Sequence, residues 1–242
     1  MDNNKIPKVI HYCWFGRGDK PEIVKKCIAS WKSVLQDYKI MEWNEDNFDI
    51  TCNSYVQQAY ECRKFAFVSD YVRVHALYEY GGIYLDTDVE VFRPFDRFLM
   101  HDSFWGFEQA NYIATSTIGA AKGNVLIKRF LDSYTSKMFL KEDGSHDELT
   151  NVAIVSDILK KQGLRLDGTY QEIEKIGVFY PQTFFSPYDY INCRTLMTED
   201  TCAMHHFYKS WLPFTVRIKG NMKKVLAKCI GGDNIAKLRE RL

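Results

Sequence analysis

Apolar positions along this chain follow two periods. KVIHYCWF (8–15), YKIMEW (38–43) and IYLDTDVEVF (83–92) are short, rich in β-branched and aromatic residues, and read as strands. PEIVKKCIASWKSVL (21–35) and KFAFVSDYVRVHALYEYGG (64–82) carry apolar residues at helical spacing. Pro21 suits the first turn of the former, and Gly81-Gly82 stops the latter. The stretch 44–63 begins acidic and follows neither period. Further on, SFWGFE (103–108), YIATSTIGA (112–120) and CAMHHFY (202–208) predict strands, whereas NVLIKRFLDSY (124–134) and ELTNVAIVSDILKKQG (148–163) predict helices. Strands alternating with helices predict an α/β fold whose mainly parallel central sheet is covered on both faces. In such sheets ligands bind beyond the carboxyl ends of strands.

The composition of the chain, 242 residues with 46% hydrophobic and 15% aromatic, is ample for one sizeable core. One Rossmann-like domain over 1–212 is expected, followed by a basic helical tail over 213–242. No apolar run approaches the roughly 20 residues of a spanning helix, and the start MDNNKIPKV does not read as a signal peptide, so a soluble, cytoplasmic protein is expected. Seven cysteines, an odd number with no Cys-x-x-Cys pair, argue for reduced thiols rather than a disulfide framework or a zinc site.

The net charge of +1 gives no reason to expect a nucleic-acid partner, yet it is unevenly spread. From Lys209 onward nine Lys/Arg face two acidic residues, so this part carries +7 and the preceding 208 residues −6. Within it, NMKKVLAKCIGG sets Met222, Val225, Leu226, Cys229 and Ile230 opposite Lys223, Lys224 and Lys228. That pattern fits peripheral contact with an anionic membrane surface, and equally a terminal helix packed on the body with a solvated basic face.

Candidate chemistry centres on GGIYLDTDVEV (81–91), where Asp86 and Asp88 close an apolar run. With 18 Asp in the chain, an Asp-x-Asp triplet arises about once by chance, so its surroundings decide its meaning. Carboxylates at i and i+2 of a strand lie about 6.6 Å apart on one face, and a bend brings both toward one hard cation. Mg²⁺ or Mn²⁺ held in this way shares its other positions with water and substrate phosphates, which makes a diphosphate the natural guest. Upstream, Asp70 and Arg73 form an i,i+3 pair on one helical face, which is also the pattern of an ordinary intrahelical ion pair. Trp14, at the exit of the first strand, can stack on a flat base or simply fill core. His205 and His206 alternate along a late strand, so at most one of them joins a metal.

Taken together, IPKVIHYCWFG, SDYVRVHALYEYGGIYLDTDVE and AMHHFYKSW resemble glycosyltransferase family 32, whose members carry a DXD-containing sugar-binding region. The resemblance spans roughly 6–212 and is diffuse between 111 and 200. It implies a GT-A fold and a reaction that retains anomeric configuration, transferring a sugar from a nucleotide-sugar to an oligosaccharide or lipid-linked saccharide. It further implies a divalent metal, Mn²⁺ or Mg²⁺, on Asp86, Asp88 and His205, with Asp88 foremost and His206 pointing away. By the same resemblance Asp70 accepts hydrogen bonds from sugar hydroxyls, Arg73 reaches ribose or sugar, and Tyr84 lines the donor site. Bacterial sugar-transferring toxins of similar fold stack a Trp in the place of Trp14 on uracil, which favours a UDP-sugar such as UDP-galactose or UDP-glucose. Ser210 and Trp211 look like the residues that close over the diphosphate in those toxins, although they are adjacent here rather than one residue apart. Asp147 and Glu148 in GSHDELTN are candidates for a nucleophile if there is one, but family members more often have a Gly-Pro segment here, and a solvated helix N-terminus is the preferred reading. A bacterial enzyme of capsule or exopolysaccharide assembly at the inner face of the plasma membrane fits this picture. The residues leave other classes open: a nucleotidyltransferase, a hydrolase using Asp86 and Asp88 as acid and base, or a non-catalytic sugar-binding module.

Overall fold

The apolar runs at 9–13 and 82–85 lie side by side at the heart of a seven-stranded sheet. The computed structural model describes residues 4–109 and 111–208. In chain order the first elements are β1 (Val9–Cys13), α1 (Glu22–Val34), β2 (Lys39–Trp43), α2 (Ser54–Glu61), α3 (Phe65–Tyr80), β3 (Gly82–Leu85) and β4 (Val89–Val91). Then come a 3₁₀ turn, β5 (Ser103–Glu108), β6 (Tyr112–Ala120), α4 (Val125–Asp132) and α5 (Asn151–Lys161). The remaining short strands are β7 (Gln171–Ile173), β8 (Gly177–Tyr180), β9 (Tyr188–Asp189), β10 (Arg194–Thr195) and β11 (Ala203–His205). The order across the main sheet is β2-β1-β3-β6-β5-β8-β7, and five strands run one way with β6 and β7 reversed. This is the α/β, mainly parallel arrangement expected, and it fits a GT-A architecture.

Both faces of the sheet are covered. Alternation along β3 sends Ile83 and Leu85 to a core shared with Trp31 of α1, while Tyr84 joins Val68 and Val72 of α3 in the core on the other face. Gly81 and Gly82 make the junction possible. At φ +65° and +113°, a Cβ on either would meet backbone at 2.6 Å, on Lys122 N and Val9 O respectively.

Two readings of the sequence are corrected. The stretch 83–92 is not one strand: it breaks at Asp86-Thr87-Asp88, and β4 leaves the main sheet to pair antiparallel with β11. Alternation cannot register such an exchange of hydrogen-bond partners. The stretch 44–63 contains α2, capped by the Asn53 side chain, which accepts from the N–H groups of Tyr55 and Val56. The cysteines at 13, 27, 52, 62, 193 and 202 are free thiols. No helix among the described residues is long and apolar enough to cross a membrane. The basic tail over 213–242, with its NMKKVLAKCIGG pattern, lies outside the described residues.

A buried imidazole locks β1, β2 and the end of α3 together. Trp43 Nε1 donates to His11 Nδ1 at 3.1 Å, so the ring proton sits on Nε2 and is donated to Gly81 O at 2.8 Å. Burial holds the His11 pKa down to about 4, so the folded protein keeps it neutral while an unfolded chain binds a proton below about 6.5. Its contribution to stability is therefore complete above pH 6.5 and is lost as pH falls toward 4. Between pH 7 and 5 that loss amounts to about 2 kcal/mol. Urea unfolding of wild type and His11→Gln at both pH values is expected to show a flatter pH dependence for the variant by about this amount; parallel slopes would contradict it.

Candidate active site

Asp86 leaves the carboxyl end of β3, its N–H donating to Ser116 O of β6 at 2.8 Å, and Val89 N returns to Asp86 O at 2.9 Å to close the turn. The far side of that turn is held by α1, where Trp31 Nε1 donates to Val89 O at 2.7 Å and Ser30 Oγ accepts from Val91 N at 2.9 Å. Pairing of β4 with β11 sets His205 opposite Val89. Asp86, Asp88 and His205 thereby offer three ligand atoms that all lie within 4.8 Å of one another.

Each of the three is oriented by a second layer of contacts. Asp88 Oδ1 faces His205 Nε2 at 3.3 Å, and its Oδ2 accepts from Tyr208 N–H at 2.7 Å. Although burial opposes it, the charge and hydrogen bond of His205, together with the Tyr208 N–H, hold the Asp88 carboxyl at about 2. Burial likewise works against charge on His205, but Asp88 outweighs it and lifts the imidazole to about 9, with Glu108 of β5 and Asp86 adding to the effect. His205 Nδ1 is buried with no hydrogen-bond partner among the described residues. Asp86 Oδ1 takes Arg73 Nη2 at 3.2 Å and the Tyr84 hydroxyl at 3.1 Å. The donor set, two carboxylates and an imidazole with an orphaned nitrogen and pre-oriented oxygens, fits a divalent metal of the Mn²⁺ or Mg²⁺ kind.

Arg73 is the hub of the adjoining wall. Buried in α3, it donates to Thr115 O at 2.6 Å, contacts Asp70 Oδ1 at 2.8 Å and Asp86, and lies 4.6 Å from the Tyr84 ring centroid. Burial raises the Asp70 carboxyl to about 6, against the pull of Arg73. The Cys13 thiol at the end of β1 sits in the same surroundings, pushed up to about 12 by burial.

Trp14 lies one strand over, at the same edge of the sheet. Its Nε1 donates to Gly18 O at 2.7 Å, Lys20 Nζ stands 5.5 Å from its ring centroid, and it lines an open cleft of about 270 Å³ with Asn44 and Asp46. His206 turns away from the cluster and meets Glu90 at 2.8 Å. Asp147 pairs with Lys137 at 3.5 Å and Glu148 with Lys64 at 3.8 Å, both ahead of α5, whose cap is Thr150. Ser210 and Trp211 lie outside the described residues.

The sequence reading missed four contributors: Glu108, Lys137, the Tyr208 N–H and Asn151. The Asn151 Nδ2 donates to Asp70 O at 2.9 Å, while its Oδ1 accepts from Tyr134 at 2.5 Å. A main-chain donor carries no side-chain signal at all. Asn151 reads from the sequence only as a polar residue inside a helical stretch.

Residues 1–159 match the family described as capsular polysaccharide synthesis protein, and the chain belongs to that family. Two curated relatives come from Schizosaccharomyces pombe. Inositol phosphoceramide mannosyltransferase 3 is 31% identical over 126 residues, covering 49% of this chain and 34% of that protein. Inositol phosphoceramide mannosyltransferase 1 is 31% identical over 111 residues, covering 41% of this chain and 33% of that protein. The matches thus span about a third of each relative's length. Among solved structures, the PaToxG glycosyltransferase aligns with a TM-score of 0.48 at 19% identity, over 64% of this chain and 69% of that one. The family match and the mannosyltransferase relatives agree with the resemblance to glycosyltransferase family 32 carried by the motifs.

Proposed function

We propose that the chain is a metal-dependent, retaining hexosyltransferase that draws on a nucleotide-sugar, with UDP-galactose or UDP-glucose favoured, and delivers to a glycan or lipid-linked saccharide in surface polysaccharide assembly. The observation that carries this reading is the convergence of Asp86, Asp88 and His205 within 4.8 Å at the carboxyl edge of the sheet, next to a buried Asp70–Arg73 pair. A cation held there supplies Lewis-acid stabilisation of the departing nucleoside diphosphate. The protein's own groups do the rest. Asp70 accepts from sugar hydroxyls, Arg73 keeps Asp70 and Asp86 in register, and Tyr84 backs Arg73 with its ring. The hydrolase alternative asks for two carboxyls about 6.5–9.5 Å apart around a water, whereas Asp86 and Asp88 each bring an oxygen within 4.8 Å of the other and of His205. That the relatives are named mannosyltransferases supports sugar transfer and adds GDP-mannose to the donors worth testing.

The test is nucleotide release from UDP-glucose, UDP-galactose and GDP-mannose with Mn²⁺ and with Mg²⁺, followed by the anomeric configuration of the product formed on an added acceptor. One donor turning over with retention supports the reading; an inverted product, or release from none, opposes it. Trp14→Ala is expected to weaken UDP binding roughly tenfold, the loss of one base–aromatic stack, with a modest stability loss of about 1–2 kcal/mol from the packing of the half-buried ring. Isothermal titration of UDP into both proteins checks this.

A further inference from the structure

The segment between α4 and α5 sends one charge into the interior. It is fastened to α2, whose Gln58 side chain accepts from the N–H groups of Phe139 and Leu140 at 2.9 and 3.0 Å, and to α3 through the Phe67 and Phe139 rings, whose centroids lie 5.2 Å apart; Asp147 N donates to Phe139 O at 2.7 Å and closes the segment on itself. From it Lys137 runs inward, its side chain 11% exposed. The ammonium lies 4.9 Å and 5.4 Å from the ring centroids of Tyr55 and Tyr134, and 3.5 Å from Asp147 Oδ2. That last distance makes an ion pair but a poor hydrogen bond. Among the described residues the buried Lys137 nitrogen has no hydrogen-bond partner, and neither has the buried Tyr55 hydroxyl.

A buried ammonium with no hydrogen bond is costly, and a methionine would fill the same space without that cost. The Lys137 ammonium packs on the ring of Tyr134, whose hydroxyl donates to Asn151 Oδ1 while Asn151 Nδ2 donates to Asp70 O, so Lys137 and Asp70 belong to one buried network. The Lys137 charge favours the Asp70 carboxylate and pairs with Asp147, and both carboxylates act on the same two tyrosines. Without Lys137, Asp147 loses its cation beside those buried rings, where the dielectric is low.

We propose that Lys137 is a positioning residue for the donor sugar: paired with Asp147 and packed on Tyr134, which reaches Asp70 through Asn151, its charge keeps Asp70 in place as a fixed acceptor for sugar hydroxyls. This inference rests on the transferase reading. It also distinguishes two parts of the donor, because the nucleotide and its diphosphate are held at Trp14 and the Asp86–Asp88–His205 cluster, whereas Lys137 acts only where the sugar lies.

The experiment compares wild type, Lys137→Met and the double variant Lys137→Met/Asp147→Asn in donor hydrolysis with Mn²⁺, and measures the inhibition constant of UDP in the same assay. Lys137→Met is expected to raise the donor KM at least about tenfold while the UDP inhibition constant moves less than twofold. The double variant, which also removes the uncompensated carboxylate, is expected to recover at least threefold of that loss. Should Lys137→Met leave no folded protein, Lys137→Arg and Lys137→Gln make the same comparison: the variant that keeps the charge is expected to stay within about threefold of the wild-type donor KM and the neutral one to exceed it at least about fivefold. A donor KM and UDP constant that rise together, or neither moving, would overturn the inference and leave the transferase standing. No nucleotide release by wild type from any of the three donors would overturn both.

Discussion

Asp88→Asn is expected to lower kcat/KM for donor hydrolysis by at least about a hundredfold, with the melting temperature lowered by no more than about 10 °C as the Asp88–His205 pair is lost. The substitution keeps the shape of the side chain, and an amide oxygen still accepts from Tyr208 N–H, so the turn between β3 and β4 retains its hydrogen bond. What is lost is the carboxylate of the cluster that is held ionised, at about 2, and faces His205 at 3.3 Å. Asp86 cannot substitute for it, because its Oδ1 is already engaged by Arg73 and Tyr84. Steady-state kinetics with Mn²⁺ at a saturating and a limiting concentration checks the prediction. A deficit that shrinks as Mn²⁺ rises means weakened metal affinity, and a rate equal to wild type at both would contradict the role given to Asp88.

Arg73→Met is expected to cost about 3–5 kcal/mol of folding stability, in addition to abolishing turnover. Arg73 is buried and satisfies Thr115 O and two carboxylates at 2.6–3.2 Å. Methionine fills the volume but leaves Asp70 and Asp86 as uncompensated neighbours in the interior, the situation in which breaking a buried ion pair is most damaging. For a chain of this size the loss corresponds to roughly 6–20 °C in melting temperature. Urea unfolding and thermal melts measure it directly, and a loss under about 1 kcal/mol would show that Arg73 is not the hub described.

The distribution of what could be read from the sequence has physical reasons. β1, α1, β2 and α3 were legible because each buries a regular apolar face over several residues, and the Gly81-Gly82 stop was legible because only glycine tolerates that junction. The strands β7 to β10 are two to four residues long, too short for a period to emerge. The break after Leu85 escaped because alternation continues through Thr87 while the backbone changes hydrogen-bond partner from β6 to β11. The acidic pair, the Asp70–Arg73 spacing and the two neighbouring histidines could be named from local pattern alone. The turn that gathers Asp86 and Asp88 with His205, and the Lys137 charge that reaches Asp70 across 67 positions of sequence, belong to tertiary packing and have no local signature.

The central claim is that Asp86, Asp88 and His205 hold the metal that carries the donor diphosphate. Its most direct test is a titration of Mn²⁺ into the protein followed by electron paramagnetic resonance, with and without UDP, on wild type and Asp88→Asn. One bound Mn²⁺ per chain is expected in wild type, held more tightly with UDP present and at least tenfold more weakly after the substitution. UDP-sugar binding and turnover that persist undiminished in EDTA, with no Mn²⁺ bound to the wild-type protein, would contradict it.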